Sequence, residues 1–205
     1  MFRQATFITG ATSLSQMPAD TGREVAFAGR SNAGKSSAIN TITGIHSLAR
    51  TSKTPGRTQQ INFFSLNDEG LRLVDLPGYG YARAPEAVRD RWLRLIGQYL
   101  RTRHALTGLV LVMDCRHPLK AFDQQLLQWC LEARLPVHIL LSKSDKLSRG
   151  TAQACIHQVR KQIDTWLTAG RDDTGAGISL QLFSALKKQG IDDACHRIEK
   201  WLEHS

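Results

Sequence analysis

Residues 29–36 read Gly29-Arg30-Ser31-Asn32-Ala33-Gly34-Lys35-Ser36. Glycines at this spacing let a backbone curl until successive N–H groups face one anion. A helix beginning at the lysine adds the positive end of its dipole. In such a loop Lys35 would reach the outer phosphates of a nucleoside triphosphate and the Ser36 hydroxyl would hold Mg²⁺. The string matches GxxxxGK[ST] and specifies phosphate gripping. It says nothing of the base.

Other strings refine that chemistry. Asp75-Leu76-Pro77-Gly78 closes an apolar run, with Asp75 lying 39 positions after Ser36. Asp75 can bind Mg²⁺ through water, and the Gly78 N–H can meet a γ-phosphate. Ser142-Lys143-Ser144-Asp145 resembles the guanine-reading pattern [NT]KxD. A carboxylate there accepts from N1–H and the exocyclic N2–H of guanine, donors that adenine does not offer, while the Lys143 stem covers the base face. Ser142 stands where Asn or Thr is usual, which leaves one supporting hydrogen bond open. Phe183-Ser184-Ala185 resembles the short turn whose backbone N–H meets guanine O6. Thr54-Pro55-Gly56-Arg57-Thr58 offers a threonine that closes on Mg²⁺ when the γ-phosphate is present; Thr58 is expected, with Thr54 as the alternative. Tyr79 follows Gly78, where many GTPases keep a glutamine to orient the attacking water. A phenol cannot take both of that amide's roles, so slow intrinsic hydrolysis is expected.

The elements that must hold these strings alternate. Glu24–Gly29, Gln60–Leu66, Leu71–Leu76, Gly108–Met113, Pro136–Leu141 and Ser179–Phe183 read as strands. A helix is expected over Lys35–Thr43, ending at Gly44, and Asn67-Asp68-Glu69-Gly70 reads as a hairpin turn. Further helices follow from Val88, Trp92, Leu95, Ile96 and Tyr99 on one face, from Phe122 to Leu131, from Cys155 to Leu167, and from Ile191 to Leu202. The pattern predicts an α/β fold: a mostly parallel, six-stranded sheet, helices on both faces and one antiparallel edge strand. Ligands of such sheets sit beyond the carboxyl ends of the strands, where nearly all the strings fall. The expected organisation is an N-terminal arm, residues 1–22, before one domain over residues 23–205.

The chain has 205 residues, 41% of them hydrophobic, with Lys+Arg 27 against Asp+Glu 18, a net charge of +9. That composition excludes a disordered chain. The longest apolar run, Leu109 to Met113, cannot span a bilayer, which takes about 20 residues. The N-terminus lacks the pattern of a signal peptide, so a cytoplasmic location is expected. Cys115, Cys130, Cys155 and Cys195 are too scattered for a zinc site and read as reduced core thiols. Residues 1–103 carry +7 and residues 104–205 carry +2. No acidic residue stands between Glu24 and Asp68, a stretch holding Arg30, Lys35, Arg50, Lys53 and Arg57. Arg83, Arg89, Arg91, Arg94, Arg101 and Arg103 follow. Such a bias suits a polyanion, whose neutralised phosphates release counterions.

The strings GRSNAGKSS, ARTSKTPGRTQ, VDLPGYGYA, DCRHPLK and SALKKQG resemble the EngB (YihA/YsxC) family of bacterial GTP-binding proteins over nearly the whole chain. The resemblance implies a P-loop NTPase G-domain that binds GTP or GDP with Mg²⁺. It also implies a role in large ribosomal subunit assembly and a link to cell division and septation. Motif matching then puts nucleotide contacts on Gly29, Arg30, Ser31, Asn32, Ala33, Gly34, Lys35 and Ser36. It adds Gly56, Arg57, Thr58, Gln59 and Gln60, then Asp75, Leu76, Pro77 and Gly78. The last contacts are Ser142, Lys143, Ser144 and Asp145, with Phe183, Ser184 and Ala185. Mg²⁺ falls to Ser36 and Thr58, and the catalytic contributions to Lys35, Thr58 and Asn32. In similar GTPases an asparagine at the place of Asn32 ligates K⁺, which would supply charge beside the phosphates. Ribosomal RNA or pre-large-subunit particles are the implied partners of a monomer. Two other functions fit a phosphate loop: a nucleoside kinase or similar phosphotransferase, and a septum-associated scaffold that uses nucleotide only to fold.

Overall fold

The computed structural model describes residues 1–49, 60–66, 70–80, 86–169 and 177–203. The strands are β1 (Thr6–Ala11), β2 (Arg23–Gly29), β3 (Ile61–Ser65), β4 (Leu71–Asp75), β5 (Leu106–Asp114), β6 (Val137–Ser142) and β7 (Ile178–Leu182). The helices are α1 (Lys35–Thr43), α2 (Glu86–Thr102), α3 (Ala121–Glu132), α4 (Arg149–Ala169) and α5 (Ile191–Glu203). One sheet takes the order β1-β3-β4-β2-β5-β6-β7. Four of its six pairings, β4 to β2, β2 to β5, β5 to β6 and β6 to β7, are parallel.

Seven strands stand where six were expected. The strand expected to run antiparallel at the edge is β3, which pairs antiparallel with β4. It is not the edge, because β1 lies antiparallel against its other side. Residues expected as an arm thus include the outermost strand, and Phe2 ahead of it is buried. β1 escaped the apolar pattern because an edge strand has one neighbour. Phe7 and Ile8 remain 59% and 44% exposed. The signal that could have found it was the β-branched and aromatic run Thr6-Phe7-Ile8-Thr9.

The unbroken apolar runs of β2, β5 and β6 are those of strands covered on both faces. Val25 and Phe27 point to a core shared with Ile39 and Ile42 of α1 and Ile198 and Leu202 of α5. Ala26 and Ala28 point to the opposite core, with Trp92, Ile96 and Tyr99 of α2, Leu126 and Cys130 of α3, and Val159 and Ile163 of α4. Each large apolar side chain fully removed from water contributes about 1.5–3 kcal/mol. All four cysteines are free thiols, and burial pushes Cys115 and Cys195 up to about 11.

At the amino end of the sheet Glu24 is fully buried. Its carboxylate accepts from Arg72 Nε at 2.7 Å, Arg103 Nη2 at 2.5 Å and the Tyr99 hydroxyl at 3.1 Å. Arg103 Nη1 also donates to the Pro18 carbonyl at 2.9 Å, which ties the segment before β2 to this cluster. Arg103 was expected in the polyanion-facing group. It is committed here instead, because Glu24 needs cationic donors once buried.

Candidate functional site

The phosphate-loop string lies where expected, between β2 and α1. Gly29 must lack a side chain, because a Cβ there would come within 2.6 Å of the Val112 carbonyl oxygen on β5. Gly34 takes φ +99° just before the first turn of α1, a conformation other residues rarely hold. Asn32 sits at φ +63°, in the left-handed region that Asn tolerates better than most residues. Its side chain is exposed. The Ser31 N–H donates to the Tyr79 carbonyl at 2.7 Å, and the Tyr79 N–H donates to the Gly29 carbonyl at 3.4 Å. The segment after β4 is therefore zipped to the loop.

Lys35 is buried and its ammonium bonds the Asp75 carboxylate, also buried, at the carboxyl end of β4. Two residues expected at the phosphates and at Mg²⁺ are thus brought together as an ion pair. The donor chemistry fits Mg²⁺, which prefers oxygen: the Ser36 hydroxyl adjoins Lys35 in sequence and the Asp75 carboxylate is at its ammonium. Gly56, Arg57, Thr58 and Gln59, with the alternative Thr54, lie outside the described residues. So do Arg50, Lys53 and Arg83, and the turn residues Asn67, Asp68 and Glu69. Gln60 is described, exposed, just before β3.

The 142–145 turn is fastened to the phosphate loop. Lys143 Nζ donates to the Asn32 carbonyl at 2.5 Å and pairs with Asp114 at 3.0 Å. The Ser142 hydroxyl stands within bonding distance of the Ala33 carbonyl and, at 3.0 Å, of the Met113 carbonyl. It has one proton to give, so it supplies one bond, and that bond reaches backbone. The support left open at Ser142 is present without an amide. Burial acts to raise the Asp114 carboxyl, but hydrogen bonds from Arg116 and Lys143 win and hold it well below the usual carboxylate range. Sequence reasoning did not pick out Asp114. Its signal was the acid that closes an apolar strand, as Asp75 does.

The 183–185 turn faces the same place. Ser184 Oγ donates to Asp145 Oδ1 at 2.5 Å, which lowers the Asp145 carboxyl. The Ser184 N–H is taken by the Gln189 carbonyl at 3.1 Å. Among the described residues the Ala185 N–H donates to no protein group.

Tyr79 departs from expectation in a different way. It is 4% exposed, and its ring packs on Trp92 and Phe122 at centroid distances of 5.6 and 6.1 Å. Its hydroxyl donates to Asp123 Oδ1 at 2.6 Å. It is a core residue rather than one facing the mouth of the loop.

A family model described as "50S ribosome-binding GTPase" matches residues 24–143. A probable GTP-binding protein EngB of Shigella boydii serotype 4 (strain Sb227) is 49% identical over 200 residues, covering 98% of this chain and 91% of its own. One of the same name from Coxiella burnetii (strain RSA 331 / Henzerling II) is 50% identical, covering 98% and 93%. A crystal structure of a probable GTP-binding protein engB superposes with a TM-score of 0.67 at 22% identity, over 87% of this chain and 98% of that one.

Proposed function

This chain belongs to the EngB family of GTP-binding proteins, and on that premise we propose that it is a GTP-controlled assembly factor for the large ribosomal subunit. It hydrolyses GTP slowly, works in the cytoplasm as a monomer, and supports normal cell division and septation through ribosome supply. The observation that carries the reading is the fastening of the 142–145 turn to the phosphate loop through Lys143 and Ser142. A base-reading carboxylate, Asp145, and a phosphate-gripping lysine, Lys35, then belong to one rigid unit.

The residues act in order along a bound nucleotide. Asp145 and the Ala185 N–H read guanine, and the Lys143 stem covers it. Backbone N–H groups of 29–36 hold the phosphates. Lys35 would leave Asp75 for the β- and γ-phosphates, which frees the Asp75 carboxylate of its partner. Ser36 and Thr58 would hold Mg²⁺, with Asp75 as a further oxygen donor to the site, and the ion would supply positive charge at the phosphates. Gly78 donates to the γ-phosphate. Asn32 would ligate K⁺, and equal GTP turnover in K⁺ and Na⁺ buffers would refute that role.

The partner reading draws on the family description and on charge. Arg91, Arg94 and Arg101 are exposed on α2 at spacings of three and seven residues, along one helix face. They lie beyond the segment that meets the γ-phosphate, so the GTP form presents them to ribosomal RNA. Sedimentation with pre-large-subunit particles under GTP, GDP and no nucleotide tests this. Binding under GTP alone is expected, and equal binding in all three overturns the switch. The salt dependence of binding should flatten by about one phosphate contact when Arg91 is neutralised. Competition of GTP, GDP and ATP separates this reading from a kinase, which has no use for Asp145 beside Ser184.

A further inference from the structure

Tyr79 joins three parts of the molecule. Its backbone pairs with the phosphate loop at both Ser31 and Gly29. Its ring lies between Trp92 of α2 and Phe122 of α3. Its hydroxyl reaches Asp123, a fully buried carboxylate near the start of α3. The other oxygen of Asp123 accepts the Lys120 N–H at 2.8 Å, so that carboxylate is itself fixed by the helix it begins. Burial and the neighbouring Asp123 push the Tyr79 phenol well above its usual value, which keeps its proton available as the donor.

We infer that Tyr79 is a positioning residue: its bond to Asp123 anchors the backbone that sets where the Gly78 N–H points, and so tunes how strongly the site feels a γ-phosphate. The inference rests on the proposed nucleotide reading. The physical argument is one of preorganisation. Gly78 has no side chain to anchor it, and the Ser31 backbone stands 3.5 Å from the place a Cβ on Gly78 would take. Its amide direction is inherited from its neighbours. Leu76 is held by its N–H to the Phe27 carbonyl at 2.9 Å, and Tyr79 holds the other side. Loosening Tyr79 adds an ordering cost to any ligand that needs the Gly78 amide. GTP needs it and GDP does not, so the two affinities should separate.

The test is the ratio of GTP to GDP affinity, measured by competition on the full chain. Tyr79→Phe removes only the hydroxyl, and Asp123→Ala removes its acceptor from the other side. Either variant should weaken GTP about fivefold or more while GDP changes less than about twofold. Trp92→Phe is the structural control. It trims a ring packed on Tyr79, and its indole N–H is a buried donor with no partner among the described residues. It should lower stability and leave the ratio alone. A ratio unchanged in both Tyr79→Phe and Asp123→Ala overturns the inference. A ratio that moves equally in Trp92→Phe does so too, because general loosening then accounts for it. If the parent protein binds neither nucleotide, the underlying site reading fails instead.

Discussion

Each end of the sheet buries a carboxylate against a cation, with different amounts of company. At the amino end Glu24 has no exposed surface and accepts from two arginines and a tyrosine drawn from β4 and α2 and its flank. At the carboxyl end Asp75 meets one lysine among the described residues, and side-chain exposure there is 10% for Lys35 and 8% for Asp75. A carboxylate with every lone pair engaged by fixed donors has nothing to gain from a ligand. On the proposed reading, a single pair at a loop and a strand end can be exchanged, with phosphate taking the lysine and the aspartate left free to face the cation. The same interaction is a clasp at one end and, on the proposed reading, a placeholder at the other. The difference lies in donor count and in which end of the strands it occupies.

The comparison can be broken from either side. Glu24→Ala should be the most damaging single change, since it strands Arg72 and Arg103 in the interior. A loss of about 3–5 kcal/mol in urea unfolding is expected, with guanine-nucleotide affinity of the folded fraction unchanged. Lys35→Ala should do the reverse. Nucleotide affinity falls about a hundredfold as a charge-assisted phosphate contact disappears, while unfolding shifts far less than in Glu24→Ala. Ser142→Ala removes one hydroxyl between the base turn and the loop. It should cost about 1 kcal/mol, visible as a modest drop in affinity for GTP and GDP alike. The smallest effect is with pH. Asp114 and Asp145 are both held below the usual carboxylate value. A depressed group contributes above its unfolded value and loses that contribution only as pH falls through the folded one. Nucleotide affinity should thus stay flat from neutral pH down to about pH 5, and a fall near pH 6.5 would point to a histidine instead.

Much of the carboxyl end was legible because its chemistry is written in contiguous strings. Helix α1 was delimited by Gly34 and Gly44, whose left-handed conformations bracket Lys35–Thr43. The parallel strands announced themselves as apolar runs. The amino-end clasp was illegible, since Glu24 meets residues 48 and 79 positions away and such pairings leave no local period. For the same reason Arg103 looked like a free cation. Tyr79 read as a missing glutamine because the sequence shows its place in the string but not the turn of its side chain toward Asp123, 44 residues on. Strand β1 was lost to its exposure. The Lys35–Asp75 pair joined two residues that had each been assigned a ligand, and nothing in either string says they meet.

On the proposed reading Asp145 selects the base while Lys35, on the same fastened unit, holds the phosphates. Competition binding of the Asp145→Asn variant against guanosine and xanthosine nucleotides tests it most directly. An amide offers the N–H that xanthine's second carbonyl can accept, so preference should swing toward xanthosine diphosphate and triphosphate. A variant that keeps the parent's preference for guanosine would contradict the account.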